Sequence, residues 1–173
     1  MENKVLQIYK YGDDVLKLKA KDVENIDGKT VDLIKQMIHT LHNTNNAIGL
    51  AAPQVGESLQ LSVIDLTMGQ KEDERILLLN PEILEAEGSE VGDEGCLSFP
   101  GITLNVNRSA KIFLKTINLD GKEIRKEIEG FMARVIQHEI DHLNGVLMVD
   151  RVSSLKRQLV KKEIKKLKKD GKW

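Results

Sequence analysis

The sequence predicts an α+β fold: a single domain of mixed or antiparallel sheets around a central helix, with a further helix near the C-terminus. Three observations predict it. Three segments repeat apolar residues at helical spacing, and four short runs have strand character. One pair of those runs meets at a tight turn, so regular βαβ units are not expected. The 173 residues suit one domain, 1–173, with a basic helix over 153–169.

Thr30 is the expected N-cap of a helix running to residue 43, with Val31, Ile34, Met37, Ile38 and Leu41 on one apolar stripe. Residues 61–66 and 76–79 read as strands, the second closed by Asn80-Pro81, and a third spans about 110–118. Asp120-Gly121 marks a two-residue hairpin turn into a strand over 122–128. Gly130 then opens a helix over 131–143, which Asn144-Gly145 terminates. The last helix, 153–169, should bury Leu155, Leu159, Val160, Ile164 and Leu167 and expose its lysines.

Composition narrows the class. Hydrophobic residues at 40% and charged residues at 31% describe an ordinary globular protein. One cysteine excludes an internal disulfide and fits a reducing compartment. The start, Met1-Glu2-Asn3-Lys4-Val5, has no apolar core or small-residue cleavage site, and no stretch reaches the length of a membrane span. A cytoplasmic location is expected. The net charge of −1 is uneven: residues 155–173 hold nine Lys or Arg against Glu163 and Asp170, leaving the body acidic. Such a tail reads as attraction to phosphate-rich partners or as a solvated helix face.

The chemistry lies in Gln137-His138-Glu139-Ile140-Asp141-His142 and in Glu94-Gly95-Cys96-Leu97-Ser98. Histidines four apart share one helix face, so both imidazoles can reach one ion, with Glu139 beside it and free of it. Two unpaired rings on a helix this apolar would be costly, which favours a metal over a satisfied histidine pair. Phe131 and Val135 fall on the same stripe, so the ligand face would open onto an apolar pocket. A lone cysteine is ordinarily an inert buried thiol. Here it sits in a tight segment with Gly92, Gly95 and Pro100, with Glu94 as a polar partner, and beside the histidines it reads as the third ligand of a centre with one open position. The stretch from Ala47 to Gln54 could be a plain small-residue loop. In isolation that is the preferred reading, but small residues also let a peptide backbone approach, with Gln54 donating to an oxyanion.

Together, Ala47-Ile48-Gly49-Leu50-Ala51-Ala52-Pro53-Gln54, Glu94-Gly95-Cys96-Leu97-Ser98 and Gln137-His138-Glu139-Ile140-Asp141-His142 resemble the three signatures of the peptide deformylase family, in order and over essentially the whole chain. The opening from Ile8 to Leu16 is similar to the family's usual beginning. The resemblance implies a metal-dependent hydrolase that removes the formyl group from N-terminal formylmethionine of new polypeptides and releases formate. It implies Cys96, His138 and His142 as metal ligands, for Fe(II) natively, with Zn, Ni or Co able to replace it. Glu139 would move the proton, and Gln54 with the Leu97 N–H would hold the oxyanion. Ile48, Phe131, Arg134 and Val135 would line the methionine pocket, Arg134 with its charge at the rim. Gly49 and Gly95 would offer backbone groups to the extended substrate. The resemblance further implies that the basic helix docks on the ribosome through residues 161–169. Two departures stand out: Ala47 replaces the first glycine of its signature, and Gly101-Ile102-Thr103 stands where many bacterial members carry an arginine.

Three other functions compete. A zinc peptidase shares the His-Glu-x-x-His spacing but takes its third ligand downstream, where Glu163 is the candidate. A binding module without catalysis predicts a missing ligand or base, and none is missing. Nucleic-acid binding through the tail has few aromatic platforms, at 3% of residues. His39 and His42 read as non-ligands.

Overall fold

A computed structural model describes residues 4–173. Seven strands form two antiparallel sheets: β1 (Gly49–Ala51), β2 (Leu61–Ile64), β3 (Ile76–Glu87), β6 (Lys111–Ile117) and β7 (Glu123–Glu129) in one, in the order β1-β2-β3-β6-β7. β4 (Glu90–Gly95) and β5 (Thr103–Arg108) make the other. Three α-helices, α1 (Gly28–His42), α2 (Gly130–Leu143) and α3 (Ser154–Lys169), complete the expected α+β class.

The fold's axis is α2. It packs on β1, β2 and β7, and its apolar residues Ala133, Val135, Ile136 and Ile140 share a core cluster with Ile64, Leu78, Ile112 and Leu114. Chain direction is set at Gly130. There, with φ at +64°, the edge strand β7 turns straight into the helix without an intervening loop, a conformation that favours glycine. At the other end the Asn144 N–H donates to the Ile140 carbonyl, and Gly145 follows with φ at +70°.

Several local expectations are corrected. The first helix starts earlier than Thr30, because the Asp27 carboxylate accepts from the Thr30 N–H at 3.0 Å and is the N-cap; the Thr30 hydroxyl donates instead to Asn25. Asn80-Pro81 does not close a strand. β3 continues through it with a register shift, and the Asn80 amide, at φ +48°, bonds both backbone groups of Val23 as a strand would. The hairpin after β6 forms as expected, but its loop is longer than two residues: Asn118 accepts from the N–H groups of Asp120 and Lys122, and pairing resumes at Ile117↔Glu123. The stretch from Ala47 to Gln54 is half strand, β1, and half a 3₁₀ turn over Ala52–Val55. In α3 only Val160 and Ile164 are buried, while Leu155 and Leu159 are exposed.

Candidate active site

Each signature is carried by a different element, and the three meet at one point. The trace leaves β4 at Gly95 and presents Cys96 at once, and α2 presents His138 and His142 one turn apart. Cys96 Sγ lies 3.2 Å from His142 Nε2, which lies 3.3 Å from His138 Nε2. All three ligand atoms fall within 4.8 Å of one another, and this is the only such group of three among the described residues. Glu163 is exposed on α3 and takes no part in it. His42 bonds Asp65 at 2.8 Å and His39 lies beside Asn43, so neither joins the cluster.

Electrostatics favour a cation here. Burial alone would raise the Cys96 thiol, but the charges of His142 and His138 and their hydrogen bonds outweigh it and bring the pKa from 9.0 to about 5. Burial would lower His138, yet hydrogen bonds to Cys96 and Glu94 carry it well above 6.5. A low-pKa thiol with two imidazole nitrogens turned toward it is a donor set that suits a divalent ion. The His138 Nδ1 is committed to Glu94 Oε2 at 2.9 Å, which leaves Nε2 to face the sulfur. One sulfur and two imidazole nitrogens, converging with one ring oriented from behind, fit a four-coordinate site with an open position.

Glu94 is not the partner of Cys96 expected from the sequence. It accepts two bonds from Arg108, at 2.8 and 2.9 Å, and one from Arg134 at 2.9 Å. Burial opposes its charge, but Arg108 and His138 hold its carboxyl well below the usual range. Asp141, inside the helix signature, accepts from Arg108 at 2.5 Å and from Arg151 at 2.9 Å. These ion pairs, buried at Arg108 and half exposed at Arg151, bolt the back of α2 to β5 and to the turn at Arg151. Arg134 is corrected as well: its guanidinium points away from any rim and bonds Glu94 and the carbonyls of Val106 and Glu90.

Glu139 faces the other way, toward β1 and β2. Its Oε2 lies 3.2 Å from the Ser62 hydroxyl. Burial pushes its carboxyl up, against the lowering effect of His138 and His142. The carboxylate fits only because residue 49 is glycine: a Cβ there would collide with its Oε1 and carboxyl carbon. Gln54, also buried, sits 3.5 Å from Cys96 Sγ through Nε2.

All of this opens onto a cavity of about 580 Å³. Every substrate-pocket residue expected from the sequence lines it: Ile48, Gly49, Gly95, Phe131, Arg134 and Val135, together with Gln54, Leu97 and Glu139. Phe131 stands 59% exposed at its edge. Asn45, Asn46, Ile102 and Thr103 also line it and were not expected. The positive φ of Asn46 marks a loop bend that no local pattern announces.

A family model described as polypeptide deformylase matches residues 5–158. The peptide deformylase of Thermodesulfovibrio yellowstonii is 46% identical over 93% of this chain and 97% of its own. Among solved structures, a peptide deformylase from Legionella pneumophila superposes with a TM-score of 0.89 at 40% identity, covering 96% of each chain. That from Thermotoga maritima gives 0.80 at 44% identity, covering 87% of this chain and 99% of that one.

Proposed function

The chain belongs to the polypeptide deformylase family and is a metal-dependent hydrolase of N-formylmethionyl nascent peptides; from that premise we propose how its own residues divide the work. Cys96, His138 and His142 hold the ion. Fe(II) is the native occupant we propose, with Zn, Ni or Co able to take the same donors. When bound, a divalent ion supplies an acidified water and Lewis-acid polarisation of a carbonyl.

Glu139 accepts the proton of the attacking water and returns it to the leaving amine. Its buried, upward-shifted carboxyl suits both halves of that task. Gln54 Nε2 and the Leu97 N–H donate to the oxyanion, and losing one such donor typically costs about 3–4 kcal/mol of transition-state stabilisation. Ile48, Phe131 and Val135 receive the methionine side chain, with the Arg134 stem behind them. Gly49 at the edge strand β1 and Gly95 at the end of β4 offer backbone groups to the extended peptide. The observation that carries this reading is the sulfur–imidazole cluster with Glu139 and Gln54 on one cavity wall.

We propose that residues 1–173 act as one catalytic domain in the cytoplasm, where new chains emerge; no described helix is long and apolar enough to cross a membrane. The exposed lysines of α3 are proposed to contact the ribosome, and charge reversal at Lys161 and Lys165 should abolish salt-sensitive co-sedimentation with it.

The test of the central reading is formate release from formylmethionyl peptides by protein handled without oxygen. Activity should be absent on the unformylated peptides, and Glu139→Gln should lower kcat by about 10²–10⁴-fold with metal retained. Retained activity in Glu139→Gln would remove that carboxylate from its role.

A further inference from the structure

We propose that Ser98 is a positioning residue for the oxyanion donor, fixing which amide hydrogen of Gln54 points into the site; this rests on the reading of Gln54 as that donor. Ser98 is fully buried, and a buried hydroxyl must place its single proton. It donates to the Tyr9 carbonyl at 2.8 Å. The lone pairs left over face Gln54, whose Nε2 donates to the Ser98 oxygen at 3.2 Å. The order of bonds follows from chemistry: the hydroxyl gives to a carbonyl, which cannot donate, and so must receive from the amide.

The far end of the same amide is held as well. Gln54 Oε1 accepts from the Ala51 N–H at 2.9 Å. Rotating the amide by half a turn would set NH₂ against that N–H and a carbonyl oxygen against the serine lone pairs. Both errors are buried and unsatisfied, so the flip is closed off. One hydrogen of Nε2 is thereby spent on Ser98. The second is left on the side of Cys96 Sγ, 3.5 Å from Nε2, where an oxyanion beside the ligands would sit.

The backbone keeps the two partners in register. The Tyr9 N–H donates to the Gln54 carbonyl and the Tyr11 N–H to the Ser98 carbonyl, each at 2.8 Å. Tyr9 and Tyr11 thus strap the end of the first signature to the end of the second. Gly56 lets the strap lie close, since a Cβ there would strike the Tyr9 ring. Ser98 therefore acts through Gln54 without touching substrate.

The experiment is a double-mutant cycle on the metal-loaded enzyme, with bound metal measured for each protein. Ser98→Ala should lower kcat about tenfold and move KM by less than about twofold, with metal content unchanged. In a Gln54→Ala background the same change should alter kcat by less than about twofold, because the group it positions is gone. An equal Ser98→Ala effect in both backgrounds, or one seen only in KM, would overturn the positioning role. Full kcat in Gln54→Ala would instead overturn the oxyanion reading beneath it. Should Ser98→Ala not fold, the unaltered protein still decides: its Gln54 side-chain amide protons should exchange far more slowly than those of a free glutamine, and equal rates would sink the proposal.

Discussion

Helices α2 and α3 are of similar length, 14 and 16 residues, and both show helical periodicity, yet the structure uses them in opposite ways. α2 is enclosed. The large sheet covers one side, and Glu94 of β4 and Arg108 of β5 bond it from the other; ten of its residues are buried, including Arg134, Gln137, Glu139, Asp141 and His142. α3 lies on the outside and buries only Val160 and Ile164. Polar groups on an enclosed helix must each find a partner, since leaving one unpaired costs free energy that the protein's small net stability can ill spare. On α2 those partners are the charge network of Glu94, Arg108 and Arg151, the Ser109 backbone for Gln137, Ser62 for Glu139 and the ligand cluster itself, while His142 Nδ1 has none among the described residues. On α3 the polar groups face water, and its lysines are free to meet something outside the molecule.

The contrast can be broken most forcefully at Glu94. Glu94→Ala leaves the Arg108 and Arg134 guanidiniums buried with a partner lost, so it should destabilise by about 3–5 kcal/mol in urea unfolding. It should also weaken metal retention by about 10–100-fold, because His138 loses the group that orients it. A loss under about 1 kcal/mol would mean that the network is not holding α2. Next comes the ion. Any ion bound only by the folded state stabilises it, by about 2.7 kcal/mol at a hundredfold excess over Kd. Chelation should therefore lower Tm, and amide exchange should quicken in α2 while α3 is unaffected. Equal quickening in both helices would show them to unfold as one unit.

On α3 the expected effects are smaller and uneven. Ile164→Ala, in the cluster with Leu16, Phe99 and Val160, should cost about 2–3 kcal/mol, whereas Leu155→Ala should stay within about 0.5 kcal/mol. Equal costs would restore the five-residue buried stripe that the sequence predicted. Acid should act last, through two depressed carboxyls, Glu94 behind α2 and Asp65 beyond β2. Asp65, at the end of β2, is fully buried; burial raises its carboxyl, but bonds from Thr67, His42 and Arg75 hold it well below the ordinary 3.8. A depressed carboxyl contributes stability above the unfolded pKa and loses it as pH falls toward the folded one. Stability should therefore drop below about pH 4, and Asp65→Asn should flatten that part of the profile, as read by urea midpoints against pH.

Much of the site was legible because its residues sit at short, rigid intervals. Spacing four on a helix fixes His138 and His142 together whatever else the chain does. Gly130 announced the start of its helix by local chemistry alone. Other features had no local signal. The chain reads Glu94 as a neighbour of Cys96, although alternation along β4 turns its carboxylate to Arg108 and His138. Leu155 and Leu159 look like core residues until the fold supplies nothing to cover them.

By itself, then, the sequence determined which groups are present, the helix face that carries two of the ligands, and the α+β class, because periodicity and capping act over a few residues. Only the tertiary structure decided where Arg134 spends its charge, which side of α3 is covered, and that Ser98 stands behind Gln54. Those outcomes depend on contacts between residues far apart in the chain, 40 positions for Arg134 and Glu94 and 44 for Ser98 and Gln54, whose geometry follows from sheet register and packing.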